Sequence, residues 1–173
     1  MTTTEPTVRF DDRFSDPSAE ATPWGDAARV LEEAELYWIT TVRADGRPHV
    51  TPLIGLMHDG AMHFTTGPRE QKYRNLEHSP RVALTTGNNA WAAGMDVVVE
   101  GEAVRVGDER RLQELADGFE SKYGSVWHFD VADGMFSPSG GGGEDGAVVF
   151  RVEPSKVMAF AKDPHGQTSY RFS

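Results

Sequence analysis

Apolar residues recur along this chain with two different periods, and the changes between them divide it into elements. Trp24, Ala27, Val30, Leu31 and Ala34 fall at helical spacing, which is the pattern of an amphipathic helix with one buried stripe. Thr22 followed by Pro23 reads as its start, a hydroxyl to serve as N-cap and then a ring already set to helical φ. The period then shortens. Residues 36–42 are rich in β-branched and aromatic side chains, and Asp45-Gly46 supplies a tight turn into a second strand over residues 47–57. Asp59-Gly60 turns the chain once more, into a strand over residues 61–66. Three strands joined by short turns predict an antiparallel meander.

Gly67-Pro68 opens a short helical stretch running through Leu76, and the Ser79-Pro80 break precedes a fourth strand over residues 81–86. Residues 97–106 form a long strand with Gly101 inside it, where a bend or bulge lets a sheet curl toward a barrel. Asp108 caps a second amphipathic helix over residues 109–123, with Leu112, Leu115, Ala116 and Phe119 on its apolar face and Gly124 as its stop. Residues 147–152 and 156–161 supply two more strands, and the chain ends on a short segment over residues 167–172. Six or seven strands with two helices predict a mainly β (α+β) protein, an antiparallel barrel decorated by helices. Residues 1–21 have no sustained period and read as an arm, disordered or laid over the body, ahead of a single domain over residues 22–173. The glycine run 140–143 reads as a flexible surface loop without a phosphate role, since the GxxxxGK[ST] pattern is absent.

Composition narrows the chemistry. With 38% hydrophobic and 25% charged positions in 173 residues, there is apolar material for one real core. Acidic residues outnumber basic ones 27 to 17, for a formal net charge of -10, which argues against nucleic acid or an anionic membrane as partner. The absence of cysteine excludes disulfides, a thiolate nucleophile and zinc sites built on CxxC. The first residues lack the basic start and apolar run of a secretory signal, so a soluble, cytoplasmic protein is expected. Six histidines form no HExxH pair and no GxSxG occurs, so neither a metal nor a serine nucleophile is expected.

Two stretches carry candidate chemistry. Thr65 and Thr66 end a strand, and Arg69, Gln71 and Lys72 lie in the start of the helix that follows. Free amides at a helix start, with hydroxyls and a lysine beside them, suit a phosphate; the plainer reading is two ordinary strand residues and a solvated helical face. His49, Val50, Thr51 and Pro52 lie on the second strand, where Pro52 cannot donate to a ladder and therefore marks a break or a free edge. Backbone groups exposed there suit the polar edge of a planar ring, while a bulge serving curvature alone is the alternative. Trp91, Tyr123, Trp127, Phe129 and Tyr170 are aromatics for either a flat-ligand pocket or the core, and Arg171 is a candidate anion contact near the C-terminus.

Taken together, ITTVRADGRPHVTPL, HFTTGPREQKYRNLEHSPRVALTTG, MDVVVEGEAVRV and GQTSYRF resemble the pyridoxamine 5'-phosphate oxidase-like split-barrel family over most of residues 25–172. The resemblance implies an antiparallel split β-barrel, a homodimer, and FMN or F-420 held in grooves between subunits. It further implies a flavin- or deazaflavin-dependent oxidoreductase moving hydride between that cofactor and a small conjugated or aromatic substrate. A non-catalytic carrier of flavin, deazaflavin or haem is the alternative. By position, the resemblance places His49, Val50, Thr51 and Pro52 along the ring, and Thr65, Thr66 and Lys72 near the phosphate with Gln71 beside them. The segment KYRNL with Pro80-Arg81 is similar to the actinobacterial deazaflavin-dependent branch and tilts the choice toward F-420, for which Arg69, Lys72, Arg74 and Arg81 offer a basic groove. The tail departs from the family ending, with Ser169 and Tyr170 where a basic residue and a tryptophan are usual, and Arg171 follows them. No residue takes a catalytic label; Tyr170 and His49 are the candidate proton donors.

Overall fold

The computed structural model describes residues 5–138 and 142–172. Its strands are β1 (Thr7–Phe10), β2 (Tyr37–Val42), β3 (Pro48–Leu53), β4 (Leu56–His58), β5 (Ala61–Thr66), β6 (Arg81–Thr86), β7 (Met95–Val106), β8 (Val131–Ala132), β9 (Met135–Phe136), β10 (Val148–Lys162) and β11 (His165–Arg171). Three α-helices interrupt them: α1 (Trp24–Glu33), α2 (Gln71–His78) and α3 (Glu109–Tyr123). Nine strands join one antiparallel sheet in the order β1-β11-β10-β7-β6-β2-β3, with β5 also pairing β10 and β4 pairing β5. This is the expected mainly β architecture with helices.

Strand β10 is where the barrel splits. One of its edges follows β7 throughout, while the other pairs first with β5, from Val148 to Val152, and then with β11, from Lys156 to Lys162. The changeover coincides with a register shift between Pro154 and Lys156, opposite Gly101 and Glu100 of β7. A Cβ on Gly101 would stand 2.4 Å from the Glu153 carbonyl oxygen, so the bulged strand fits only against a residue without a side chain. The two strands read separately over residues 147–161 are thus one bulged strand, and the bulge lies on the partner of Gly101.

Pleat alternation builds the core. Ile39, Leu84, Val99, Val157 and Tyr170 stand opposite one another across β2, β6, β7, β10 and β11, and all are fully buried. Ala27 and Leu31 of α1 and Leu76 of α2 close over this cluster, while Leu112, Leu115, Ala116 and Phe119 of α3 cover a second one. Asp108 caps α3 as expected, its side chain accepting from the Arg111 amide at 2.9 Å.

Two expectations need correction. Thr22 does not cap α1: Pro23 holds the N-cap position without a side-chain bond. Thr22 instead donates its N–H to Thr168 Oγ1 at 3.0 Å and accepts from the Tyr170 hydroxyl at 2.7 Å. The meander is interrupted, because β2 with β3 and β4 with β5 are hairpins that do not pair with each other. Between them the N–H of Gly55 donates to the Tyr123 hydroxyl at 3.0 Å, and its carbonyl accepts from that hydroxyl at 2.7 Å and from Lys122 Nζ at 3.0 Å. Side chains from the end of α3 thus occupy the backbone groups that a continuous strand would have paired. The arm lies against the sheet over residues 7–10, where β1 pairs with β11. Of the glycine run, residues 140 and 141 lie outside the described residues, and Gly142 donates to the Ser137 carbonyl at 2.9 Å.

Candidate functional site

Among the described residues the edge strand β3 pairs with β2 alone, so on its other side alternate backbone amides and carbonyls are left out of any ladder. The expected free edge therefore exists, with Pro52 inside the strand and opposite Trp38. Alternation divides the four candidate residues between two faces. Val50 and Pro52 point outward and are exposed, whereas His49 and Thr51 are half-buried on the face they share with Thr41 and Ile39. The buried hydroxyl of Thr51 has no hydrogen-bond partner among the described residues.

Thr41 ties this strand to α2. Its hydroxyl lies 3.5 Å from His49 Nδ1 and accepts from Asn75 Nδ2 at 2.8 Å. The Gln71 amide donates in turn to Asn75 Oδ1 at 2.8 Å, the i,i+4 pairing that a helix places on one face. Burial, then the charges of Arg43 and Lys72, hold the His49 imidazole below its ordinary range. The two stretches singled out from sequence thus meet, with His49, Gln71 and Lys72 around the start of one helix.

At that start a carboxylate already sits among the expected anion donors. Glu70 accepts from the Gly67 N–H at 2.7 Å and from the ammonium of Lys72, which is 7% exposed. Partial burial works against the Glu70 charge, but the bond from Lys72, the Gly67 amide, the Lys72 charge and the Thr66 hydroxyl outweigh it and hold its carboxyl below the usual range. The Gly67 amide and Lys72 are therefore placed to hold an oxyanion, with Glu70 as the anion that the chain itself supplies and the Thr66 hydroxyl beside them, donating to the Gly67 carbonyl at 3.3 Å.

Not all candidates gather here. Thr65 follows the opposite face of β5 from Thr66. Arg171 stands opposite Lys156 and Thr7 on β11, five strands along the sheet path from β3, and is exposed. Tyr170 is fully buried, with its hydroxyl committed to Thr22 and its pKa raised to about 12 by burial. The basic groove is largely neutralised, since Arg69 pairs with Glu144 and Asp145, Lys72 with Glu70, and Arg81 with Glu102. Tyr123 and Phe129 pack against Phe119 of α3, and Trp127 packs against both of them; Trp91 is not part of this group. Among the described residues no three His, Asp or Glu side chains converge as metal ligands.

Sequence reading missed Thr41, Asn75 and Glu70. Two signals were present: Asn75 stands four residues after Gln71, and Thr41 shares the alternation of Tyr37 and Ile39 and so faces inward. Glu70 looked like one charge of a solvated helical face.

The sequence profile of the pyridoxamine 5'-phosphate oxidase family matches residues 25–160. No curated protein matches the chain. Among solved structures it is similar to a haem binding protein from Mycobacterium smegmatis, with a TM-score of 0.67 and 14% identity over 87% of this chain and 59% of that one. The chain thus spans less than two thirds of that protein. A FAD-binding protein from Mesorhizobium loti gives 0.59 and 18% over 95% and 98%, and the haem storage protein HutZ from Vibrio cholerae gives 0.60 and 17% over 80% and 93%. These likenesses are likenesses of fold.

Proposed function

The chain belongs to the pyridoxamine 5'-phosphate oxidase family, and from that premise we propose that it is a flavin- or deazaflavin-dependent oxidoreductase. It holds FMN or F-420 and acts on a small conjugated or aromatic substrate. The carrying observation is the oxyanion cradle of Thr66, Gly67 and Lys72 at the start of α2, joined through Asn75 and Thr41 to the free edge of β3. A bound flavin or deazaflavin would supply a ring that accepts or delivers hydride. The protein's part is placement and electrostatics. Lys72 and the Gly67 amide hold the anionic end once Glu70 has swung away. The amides and carbonyls on the outer edge of β3 and the Thr51 hydroxyl, unpartnered among the described residues, offer hydrogen bonds to a polar ring edge. His49, held toward its neutral form, offers one nitrogen as donor and one as acceptor.

A homodimer completes this proposal. On the outer sheet face Pro52, Trp38, Val98 and Met158 fall in one register row, broken only by Thr85, with Trp38 48% exposed and Val50, two residues from Pro52, 53% exposed. An apolar row of this kind on an edge-bearing sheet suits a second copy of the chain.

A second reading, a carrier without turnover, is favoured by the fold likeness to the two haem proteins. Titration of the purified protein with FMN, F-420 and haemin, followed by absorbance, separates the ligands. Consumption of the reduced cofactor with a panel of quinones and nitroaromatics as acceptors separates enzyme from carrier; tight binding without turnover supports the carrier.

A further inference from the structure

Antiparallel neighbours are usually joined by loops of about two to five residues, yet eight residues, Gly87 to Gly94, connect β6 to β7. This loop is built rather than slack. Lys162 Nζ, from the end of β10, lies 2.5 Å from the Asn88 carbonyl, 2.7 Å from Asn88 Oδ1, 2.9 Å from the Ala90 carbonyl and 2.9 Å from Asp96 Oδ1. Its backbone N–H donates to the Gly94 carbonyl at 3.2 Å, and the Asn88 N–H donates to Asp96 Oδ1 at 3.3 Å. A Cβ on Gly87 would lie 2.0 Å from that same carboxylate.

The object so fixed is Trp91, 94% exposed. A large apolar ring held in water on a loop tied at Asn88, Ala90 and Gly94 costs solvation and contributes nothing to the core. Beside it opens a pocket of about 420 Å³, lined among others by Asn88, Asn89, Phe160 and His165, a volume within the range of small-molecule sites. None of its lining residues belongs to the Thr66–Lys72 cradle.

We propose that this pocket is a second binding site, for a neutral molecule with a planar conjugated ring. Trp91 and Phe160 offer aromatic surface to such a ring, and the side-chain amides of Asn88 and Asn89 offer donors and acceptors to carbonyl or nitro groups on its rim. Neutrality follows from the charges already present. The Lys162 ammonium has four acceptors for its three protons, and the Asp96 carboxylate is taken by Lys162 and the Asn88 amide. The ammonium has no proton left for an anion, and its positive charge is offset by the Asp96 carboxylate it touches. The site stands independently of the cofactor proposal.

Menadione, a neutral quinone, is the probe, and the indole N–H resonances of the four tryptophans in a ¹H–¹⁵N spectrum are the readout, with Trp91 assigned from Trp91→Phe. The expected result is a saturable shift of the Trp91 indole and the Asn88 and Asn89 side-chain amides, with Trp24 and Trp127 unmoved. Affinity should fall about tenfold in Trp91→Leu, a substitution at a position too exposed to disturb the fold, and 2-naphthoate, a charged ring compound, should bind more weakly. A Trp91 signal that ignores menadione overturns the proposal, as does a uniform non-saturating drift of all four indoles. So does a Trp91 signal that shifts with protein concentration alone, which would assign the pocket to a second copy.

Discussion

The Lys72 ammonium donates to the Glu70 carboxylate two residues before it, while the same carboxylate takes the Gly67 amide. The chain thus fills its own anion cradle. On the proposed function an incoming phosphate would compete with a tethered carboxylate, and its affinity would be the difference between two anions for the same donors.

Glu70→Gln should therefore tighten FMN. The amide retains the shape of the side chain but gives up the charge, and a charge-assisted bond is worth about 1.5–3 kcal/mol. We expect about a tenfold lower Kd for FMN by calorimetry, and little change for riboflavin, which lacks the phosphate. Equal changes for both ligands would show that Glu70 acts on the fold rather than on the cradle.

Stability should fall on acidification because of His63. This ring is fully buried on β5, neither nitrogen makes a hydrogen bond of good geometry among the described residues, and its pKa is lowered to about 4. Burial is the main cause, with the charges of Arg111, His58 and Arg151 adding to it and only the Leu56 backbone acting the other way. The unfolded chain takes up this proton near the ordinary value of 6.5 and the native barrel only near about 4, so between these values the unfolded state binds more protons. The contribution is complete above about pH 6.5 and is lost as pH falls toward 4, by about 3 kcal/mol in total. Urea unfolding at pH 7 and 5 should show the slope, and His63→Leu should flatten it. An unchanged slope in the variant would assign the acid sensitivity elsewhere.

Gly101→Ala should destabilise the barrel by about 1–3 kcal/mol, since the new methyl would meet a backbone carbonyl that the bulge holds in place. Gly107, where an added Cβ would meet no described atom within 4 Å, is the control; Gly107→Ala should leave the melting temperature nearly unchanged. Comparable losses in both variants would remove the steric account of the bulge.

Light scattering should report a dimer at micromolar concentration, and Trp38→Glu together with Val50→Glu should yield monomers of unchanged far-UV spectrum. A native chain that is already monomeric would leave the outer apolar row without the proposed partner.

Much of the fold was legible because period and turn chemistry agree locally. Asp45-Gly46, Asp59-Gly60 and the Asp108 cap mark their elements through backbone demands that few other residues meet. The meander misled because hairpin signals are local, whereas the pairing of β5 with β10 joins residues more than eighty positions apart. The site was legible in its types and not in its wiring. His49 and Lys72 announced themselves as polar residues at a strand edge and a helix start, but their link runs through Asn75 and Thr41, thirty-four positions apart. Glu70 was hidden by its charge, since a carboxylate among basic helical residues is ordinarily a solvated partner.

The central claim is that Lys72 and its neighbours hold the phosphate of the cofactor. Titration of the native protein and Lys72→Ala with FMN and riboflavin, and with F-420 and its phosphate-free fragment, tests it most directly. Loss of a charge-assisted bond predicts about a ten- to hundredfold weaker Kd for the phosphorylated ligand alone. Equal losses for both members of a pair, or no loss for either, would contradict it.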